Sequence, residues 1–112
     1  MPAAKDVKPG RWINVQVLYD DGEYSCIWGD YDDSFDHPIR PSVRGHLGVR
    51  WNEAPHGTGY PSARGYPQWY VEPHFLVRPV LTGLREKLLS QPASPERDEY
   101  LRRIGNHLLR LG

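Results

Sequence analysis

The stretch from Gly59 to Tyr70 concentrates the side chains in this chain that are best suited to hold a ligand. It reads G-Y-P-S-A-R-G-Y-P-Q-W-Y, so Gly-Tyr-Pro occurs twice, six residues apart. Proline fixes its own φ angle and forces the preceding residue to be extended, while glycine permits a sharp bend before each tyrosine. We therefore expect Tyr60 and Tyr66 to be rigidly aimed recognition rings.

Further aromatic rings and two guanidinium groups accompany these tyrosines. Aromatic faces beside arginine side chains can hold a flat or planar-charged ligand through stacking and cation–π contacts. The alternative is that the rings attach a long loop to a sheet, with their hydroxyls bonded to the backbone. The predicted ligand-binding residues are Arg50, Trp51, Tyr60, Arg64, Tyr66, Trp69 and Tyr70.

An acidic segment, D-Y-D-D-S-F-D-H from Asp30 to His37, offers many oxygen ligands for a hard cation. The calcium loop of EF-hands requires glycine at its sixth position and glutamate at its twelfth, where this chain has Phe35 and Pro41. We therefore predict a solvated acidic loop and no metal site.

Other catalytic chemistry has weaker support in the sequence. The five histidines are not spaced as a zinc pair, and no phosphate-binding glycine loop or G-x-S-x-G motif occurs. Cys26 alternates with Tyr24 and Trp28, which indicates buried packing. Asp36 with His37, or Glu53 with His56, could form an acid–base couple, but any chain of this composition offers such pairs. We predict no catalytic residue and no cofactor.

The composition favours one globular domain over residues 1–112. Hydrophobic residues make up 38% and charged residues 25% of the 112 residues, and the single cysteine excludes an intramolecular disulfide. Residues 1–10 are polar and contain Pro2, Pro9 and Gly10, which predicts a flexible lead-in and no signal peptide. We expect a soluble, cytoplasmic protein that does not enter membranes.

The charges are segregated although the net charge is zero. Residues 1–37 carry eight acids and three bases, a net charge of −5, and residues 38–112 carry eleven bases and six acids, a net charge of +5. Either the two parts fold against each other and cancel, or they form a dipolar surface that steers a partner or a second copy. The neutral total argues against broad nucleic-acid binding, which depends on phosphate neutralisation.

Period-two alternation predicts an antiparallel sheet of about four strands. In the first strand, Ile13, Val15, Val17 and Tyr19 are expected on one face, and Asp20-Asp21-Gly22 is a hairpin turn. Asn52–Pro67 is predicted to be a long loop rich in glycine and proline. The four predicted strands are Arg11–Tyr19, Glu23–Trp28, His46–Trp51 and Gln68–Glu72.

Two C-terminal helices follow. Apolar residues at helical spacing predict a helix that starts near Arg78, because Pro79 fits best in a first turn. Gln91–Ala93 ends this helix, and Ser94-Pro95 begins the next with a hydroxyl cap and a proline at the first helical position. The fold class is therefore α+β, with the helices covering one face of the sheet.

The second helix carries a basic surface made of Arg97, Arg102, Arg103 and Arg110 beside its apolar stripe. The preferred interpretation is a docked helix with a solvated basic face. The alternatives are a helical seam in a homodimer, or a basic surface for RNA or an acidic protein.

The motifs V-R-W-N and G-Y-P-Q-W-Y-V-E-P-H-F, with the strand R-W-I-N-V-Q-V-L-Y before them, carry a family resemblance. Over roughly residues 10–90 the chain resembles small uncharacterised bacterial proteins, some of them carried in integron gene cassettes. The resemblance implies a bacterial cytosolic protein and brings no activity with it.

Three functional hypotheses remain open. The first is a non-catalytic binding or interaction protein, as a monomer or a homodimer, whose ligand is a small molecule or a protein. The second is a small enzyme with a histidine–carboxylate acid–base pair. The third is a single-stranded nucleic-acid binder that uses aromatic rings as stacking platforms.

Overall fold

The computed structural model describes residues 12–32, 43–52, 61–63, 66–67 and 69–111. Strands β1, β2, β3 and β6 form a four-stranded antiparallel sheet in that order, and β4 pairs with β5. The α+β class, the four-stranded antiparallel sheet and the two C-terminal helices are thus confirmed. The elements are β1 Trp12–Asp20, β2 Tyr24–Asp32, β3 Val43–Trp51, β4 Ser62–Ala63, β5 Tyr66–Pro67, β6 Tyr70–Val71, α1 His74–Leu89 and α2 Pro95–Leu111.

The chain divides into two compact units, Met1–Glu72 with the strands and Pro73–Gly112 with the helices. That residues 1–112 behave as one domain stays a prediction. The lead-in predicted for residues 1–10 lies outside the described residues.

The turn between β1 and β2 forms where the sequence predicts it. Gly22 has a φ of 90°, a left-handed conformation that glycine adopts without steric cost. Asp21 Oδ1 accepts hydrogen bonds of 2.8 Å from the backbone N–H groups of both Glu23 and Tyr24. This aspartate therefore holds the turn closed through its side chain.

Strand β1 departs from the predicted alternation. Its pairing with β2 shifts register between Ile13 and Gln16 and again between Val17 and Tyr19, and Asn14 has a positive φ of 56°. Each bulge adds a residue and reverses the faces that follow it. The prediction that Val17 shares a face with Tyr19 is wrong, because Val17 is paired with Ile27 and Tyr19 with Cys26, adjacent residues of β2 whose side chains point to opposite faces.

Strands β2 and β3 are longer than predicted. Their pairing is continuous from Tyr24 opposite Trp51 to Asp32 opposite Val43. The prediction that the second strand ends at Trp28 and that an acidic loop begins at Asp30 is therefore wrong for residues 30–32. Backbone hydrogen bonding extends the ladder whatever the side chains are, and Asp30 accepts a hydrogen bond of 3.2 Å from Asn14. The rest of the acidic segment lies outside the described residues.

The predicted loop over residues 52–67 contains the short pair β4 and β5, and its residues 53–60 and 64–65 lie outside the described part of the chain. The fourth strand is short, but the N–H of Glu72 donates to the carbonyl of Leu47 at 2.8 Å and so continues its pairing with β3. One face of the sheet carries a core cluster of Trp12, Ile27 and Trp69.

Helix α1 begins at His74, four residues before the predicted start, so Pro79 lies inside it. Proline there removes one backbone donor, whose partner would be the carbonyl of Phe75. The longer helix buries Val77 and Leu81 at 2% and 0% exposure, and this burial offsets the loss of the hydrogen bond.

Helix α2 begins as predicted. Ser94 Oγ accepts a hydrogen bond of 3.1 Å from the N–H of Arg97, the expected cap, and Pro95 is the first helical residue. Arg97 Nε donates to the carbonyl of Leu88 at 2.8 Å, so the start of α2 is joined to the end of α1.

Candidate functional site

Three aromatic side chains lie on one face of the sheet, near the same end of three successive strands. Tyr24 begins β2 and is paired directly with Trp51, the last residue of β3, while Tyr70 of β6 is paired with Val49. Directly opposed residues in an antiparallel pair place their side chains on the same face, and so do residues two apart in one strand. The pairing alone therefore brings Tyr24, Trp51 and Tyr70 together.

These rings surround an open cleft of about 210 Å³. The Tyr24 and Trp51 rings meet edge to face, with centroids 5.2 Å apart and an interplanar angle of 65°. Trp51 is 54% exposed and Tyr70 is 49% exposed, although both belong to strands. A cavity of about 150 Å³ is enough to hold benzene, so this cleft has room for one ring or a compact apolar group. Its lining residues are Tyr24, Val49, Arg50, Trp51, Pro61 and Tyr70.

A buried polar cluster fixes the strand end that carries Trp51. Asn52 is fully buried, and its Nδ2 donates to Ser25 Oγ at 2.5 Å and to Asp20 Oδ1 at 3.3 Å. Its backbone N–H donates to the carbonyl of Glu23 at 2.6 Å. The residue after Trp51 is thus tied to β2 and to the hairpin turn, which restrains the backbone of Trp51.

Arg50 belongs to this interior cluster. The residue is 1% exposed, and its Nε donates to Asn52 Oδ1 at 3.2 Å. Its guanidinium carbon lies 6.0 Å from the centroid of the Trp69 ring, a cation–π contact within the protein. Burial lowers the pKa of the Arg50 guanidinium. Since Arg50 is adjacent to Trp51 in β3, its side chain leaves the strand on the face opposite the exposed indole.

Tyr24, which lines the cleft, and Cys26 are two neutral acids near the Glu72 carboxylate. Burial, followed by the influence of Cys26 and Glu72, raises the pKa of the Tyr24 hydroxyl. Burial and then the Glu72 carboxylate raise the pKa of the Cys26 thiol, which is fully buried. Tyr24 therefore keeps its proton at neutral pH, and the sequence-based interpretation of Cys26 as a packing residue is confirmed.

The structure brings three of the seven predicted ligand-binding residues to the cleft, namely Arg50, Trp51 and Tyr70. Trp69 is 8% exposed and packs in the core cluster on the other face. Tyr60 and Arg64 lie outside the described residues, and Tyr66 is described only by its backbone in β5.

Sequence reasoning missed three lining residues, Tyr24, Val49 and Pro61. The alternation of Tyr24 with Cys26, and of Val49 with Trp51, gives the correct faces of each strand. It does not give the register between β2 and β3, which sets Tyr24 opposite Trp51.

Elsewhere in the described residues, no group of three or more His, Cys, Asp or Glu side chains could hold a metal ion. The predicted acid–base couples at residues 36–37 and 53–56 lie outside the described ranges.

On α2, Glu99 Oε1 forms ion pairs with Arg102 and Arg103, and Asp98 pairs with Arg97 at 3.1 Å. Three of the four arginines in the predicted basic surface therefore have carboxylate partners on their own helix.

No protein-family model, curated protein or solved structure matches this chain. Neither of the two described helices is long and apolar enough to cross a membrane.

Proposed function

We propose that this protein is a non-catalytic binding protein whose site is the aromatic cleft formed by Tyr24, Trp51 and Tyr70. The observation that carries the proposal is the exposure of Trp51 and Tyr70, 54% and 49%, on paired strands beside a space of about 210 Å³. Exposed aromatic rings around a concave surface are typical of ligand sites, and covering them with a ligand releases hydrophobic free energy.

The expected affinity follows from the exposed ring area. An aromatic side chain has about 150–250 Å² of surface, so the exposed halves of Trp51 and Tyr70 together offer about 150–250 Å². At about 25 cal/mol per Å², covering them gives a gross gain of about 4–6 kcal/mol. Association costs offset part of this gain, so a single-ring fragment should bind in the high micromolar to millimolar range.

The aromatic stretch rich in glycine and proline between Trp51 and Tyr70 belongs to the proposed site. It contributes Pro61 to the lining of the cleft. Tyr60 and Tyr66 are proposed to complete the site, on the strength of the repeated Gly-Tyr-Pro motif alone, and the participation of Arg64 stays a prediction. Substitution of Tyr60 or Tyr66 by alanine should then weaken ligand binding as well as changing thermal stability.

Binding is preferred to the two other hypotheses on specific grounds. The acid–base couples of the small-enzyme hypothesis lie outside the described residues, and the described lining of the cleft contains no histidine or carboxylic acid. The nucleic-acid hypothesis relies on the arginines of α2, and ion pairs with Asp98 and Glu99 reduce the charge that these offer to phosphates.

The proposal is tested by titrating the ¹⁵N-labelled full chain with indole and following amide and indole N–H shifts by NMR. Trp51→Ala and Tyr70→Ala should each abolish the saturable shifts. Phe75→Ala is the matched control, because Phe75 is 77% exposed and does not line the cleft, so this variant should bind indole normally. Saturable indole binding that survives both cleft variants would refute the proposal.

The remaining expectations on partners and source are also proposals. The resemblance to bacterial cassette proteins supports a bacterial cytosolic protein without adding an activity. A homodimer and a protein ligand are both compatible with a cleft of this kind. The molar mass of the free and the ligand-bound chain, measured by light scattering, distinguishes both from a monomer that binds a small molecule.

A further inference from the structure

We infer that the group held by the cleft is a quaternary ammonium cation, carried by a small molecule free in solution. The inference rests on the proposed function and names the ligand class of the same site. It combines three features of the cleft: the ring faces, the nearby carboxylates and the apolar character of its lining.

The rings supply the first feature. The faces of aromatic rings carry partial negative charge, and tryptophan attracts cations most strongly. Trp51 is the central ring, on the strand between those of Tyr24 and Tyr70. Rings arranged around a compact space are the usual recognition site for methylated ammonium groups.

The second feature is negative charge beside the rings. Glu72 follows Tyr70 by two residues and continues the pairing of β6 with β3, so its side chain lies on the same face as Tyr70. Its carboxylate is near enough to affect the pKa values of Tyr24 and Cys26. Asp21 and Glu23 add two further carboxylates in the turn that leads into Tyr24, whereas Asp20 is bonded to Asn52 in the interior cluster.

Arg50 is the positive charge that must be weighed against these acids. Its side chain is directed to the opposite face, where it is bonded to Asn52 and lies near Trp69. Asn52 is itself bonded to Asp20, so the guanidinium belongs to a cluster that contains a carboxylate. Arg50 contributes to the lining of the cleft but is only 1% exposed, so its guanidinium is not accessible to a ligand there.

The third feature distinguishes a quaternary ammonium from other cations. A primary ammonium or a guanidinium loses hydrogen bonds to water when it is enclosed, and the site must replace them. A quaternary ammonium has no N–H donors and makes no such demand. Trp51, Val49 and Pro61 line the cleft with apolar surface, which suits a cation of this kind.

The test is an NMR titration of the full chain with three probes of similar size at constant ionic strength. Choline chloride carries the quaternary ammonium, 3,3-dimethylbutanol is its neutral carbon analogue, and ethanolamine hydrochloride carries a primary ammonium. Choline should shift the Trp51 indole resonance and bind at least about fivefold more tightly than the neutral analogue, as a single cation–π contact of about 1 kcal/mol predicts.

Two variants separate the contributions of ring and charge. Trp51→Ala should abolish binding of both choline and its neutral analogue. Glu72→Gln should weaken choline about two- to fivefold and leave the neutral analogue unchanged. Glu72→Asp, which keeps the charge, should retain most of the choline affinity and shows whether a loss in Glu72→Gln reflects charge or folding.

The outcomes distinguish the inference from the proposed function. If the cleft binds indole and the neutral analogue as tightly as choline, the cation inference is wrong and the binding function stands. If neither indole nor choline binds at Trp51, both are wrong. Binding to phosphatidylcholine vesicles or to a trimethyl-lysine peptide without binding of free choline would overturn the assignment to a small molecule.

Discussion

Replacement of Gly48 by alanine should destabilise the sheet, because the surroundings of this residue leave no room for a methyl group. Gly48 lies in β3 between Ile27 of β2 and Val71 of β6. A Cβ at this position would lie 2.9 Å from Ile27 Cγ1, and 3.0 and 3.1 Å from Trp12 Cη2 and Cζ2. Ile27 is 0% and Trp12 is 4% exposed, so neither side chain can move aside without disturbing the core.

The expected magnitude combines two opposing effects. Overpacking a well-packed core costs about 1–3 kcal/mol. Alanine also restricts the unfolded chain, which returns about 0.4–1 kcal/mol. The middle of each range gives a net loss of about 1.3 kcal/mol, and at about 4 °C per kcal/mol for a chain of this length the Tm should fall by about 5 °C.

Tryptophan fluorescence is the appropriate assay, because all four tryptophans belong to the unit Met1–Glu72. Urea and thermal unfolding followed by fluorescence therefore report on the strands, and far-UV circular dichroism at 222 nm reports mainly on the helices. Gly105→Ala in α2 is the matched control, since apart from the adjacent residues and the backbone of its own helix no atom lies within 4 Å of its added Cβ. It should stabilise the helical signal by up to about 1 kcal/mol. An unchanged or higher fluorescence midpoint for Gly48→Ala would refute the packing of Trp12 over β3.

Three further predictions concern single side chains. Ser94→Ala should cost the helices about 1 kcal/mol in a urea titration at 222 nm, whereas Ser94→Asp should keep the cap and the stability; equal losses would contradict the capping role. Burial, followed by the charge of Arg110, lowers the pKa of His107 in the folded chain. As the pH falls below about 6.5, the unfolded chain therefore binds a proton at His107 more readily than the folded chain does, and the stability of the helices should fall. His107→Gln should flatten that fall, and an unaltered pH profile would exclude His107 as its source. Cys26, fully buried and with a raised thiol pKa, should react with a thiol reagent only as fast as the sheet opens, so rapid labelling of the native chain would disprove its burial.

Local chemistry was sufficient to predict much of the fold. The turn at Gly22 needs a positive φ and a side-chain acceptor, and the sequence supplies both at adjacent positions. The cap at Ser94 and the proline after it define the start of α2 in the same way. These features depend on residues within three or four positions of one another, which is the range over which a single sequence is informative.

Features that depend on partners distant in the chain were predicted less well. The bulges in β1 are set by pairing with β2, and no periodicity within β1 reveals them. Pro79 locally favours a helix start, but α1 begins before it, because burial of Val77 and Leu81 stabilises the helix despite the hydrogen bond that the proline removes. In both places tertiary contacts outweigh the local preference.

The residues of the site also differ in whether local sequence or distant pairing determines their position. Trp51 and Tyr70 were expected because they flank an unusual motif, but Tyr24 lies in a different hairpin and reaches the cleft only through the register of β2 with β3. Trp69 and Tyr70 are neighbours in the sequence, but adjacent residues of an extended chain point to opposite faces, and Trp69 packs in the core cluster. The alternation of side chains along a strand therefore distinguishes aromatic rings of the cleft from those of the core more reliably than nearness in the sequence does.

At the end of β3, two buried polar residues flank one exposed aromatic residue, and this arrangement affects the affinity of the cleft. Arg50 and Asn52 are 1% and 0% exposed and hydrogen-bonded within the interior, while Trp51 between them is 54% exposed. Burying such polar groups is costly unless each is satisfied, and a satisfied cluster has little freedom to move. The backbone that carries the exposed indole is therefore held on both sides and does not have to be ordered when a ligand binds. The weak gain from covering two half-exposed rings can then appear as measurable affinity.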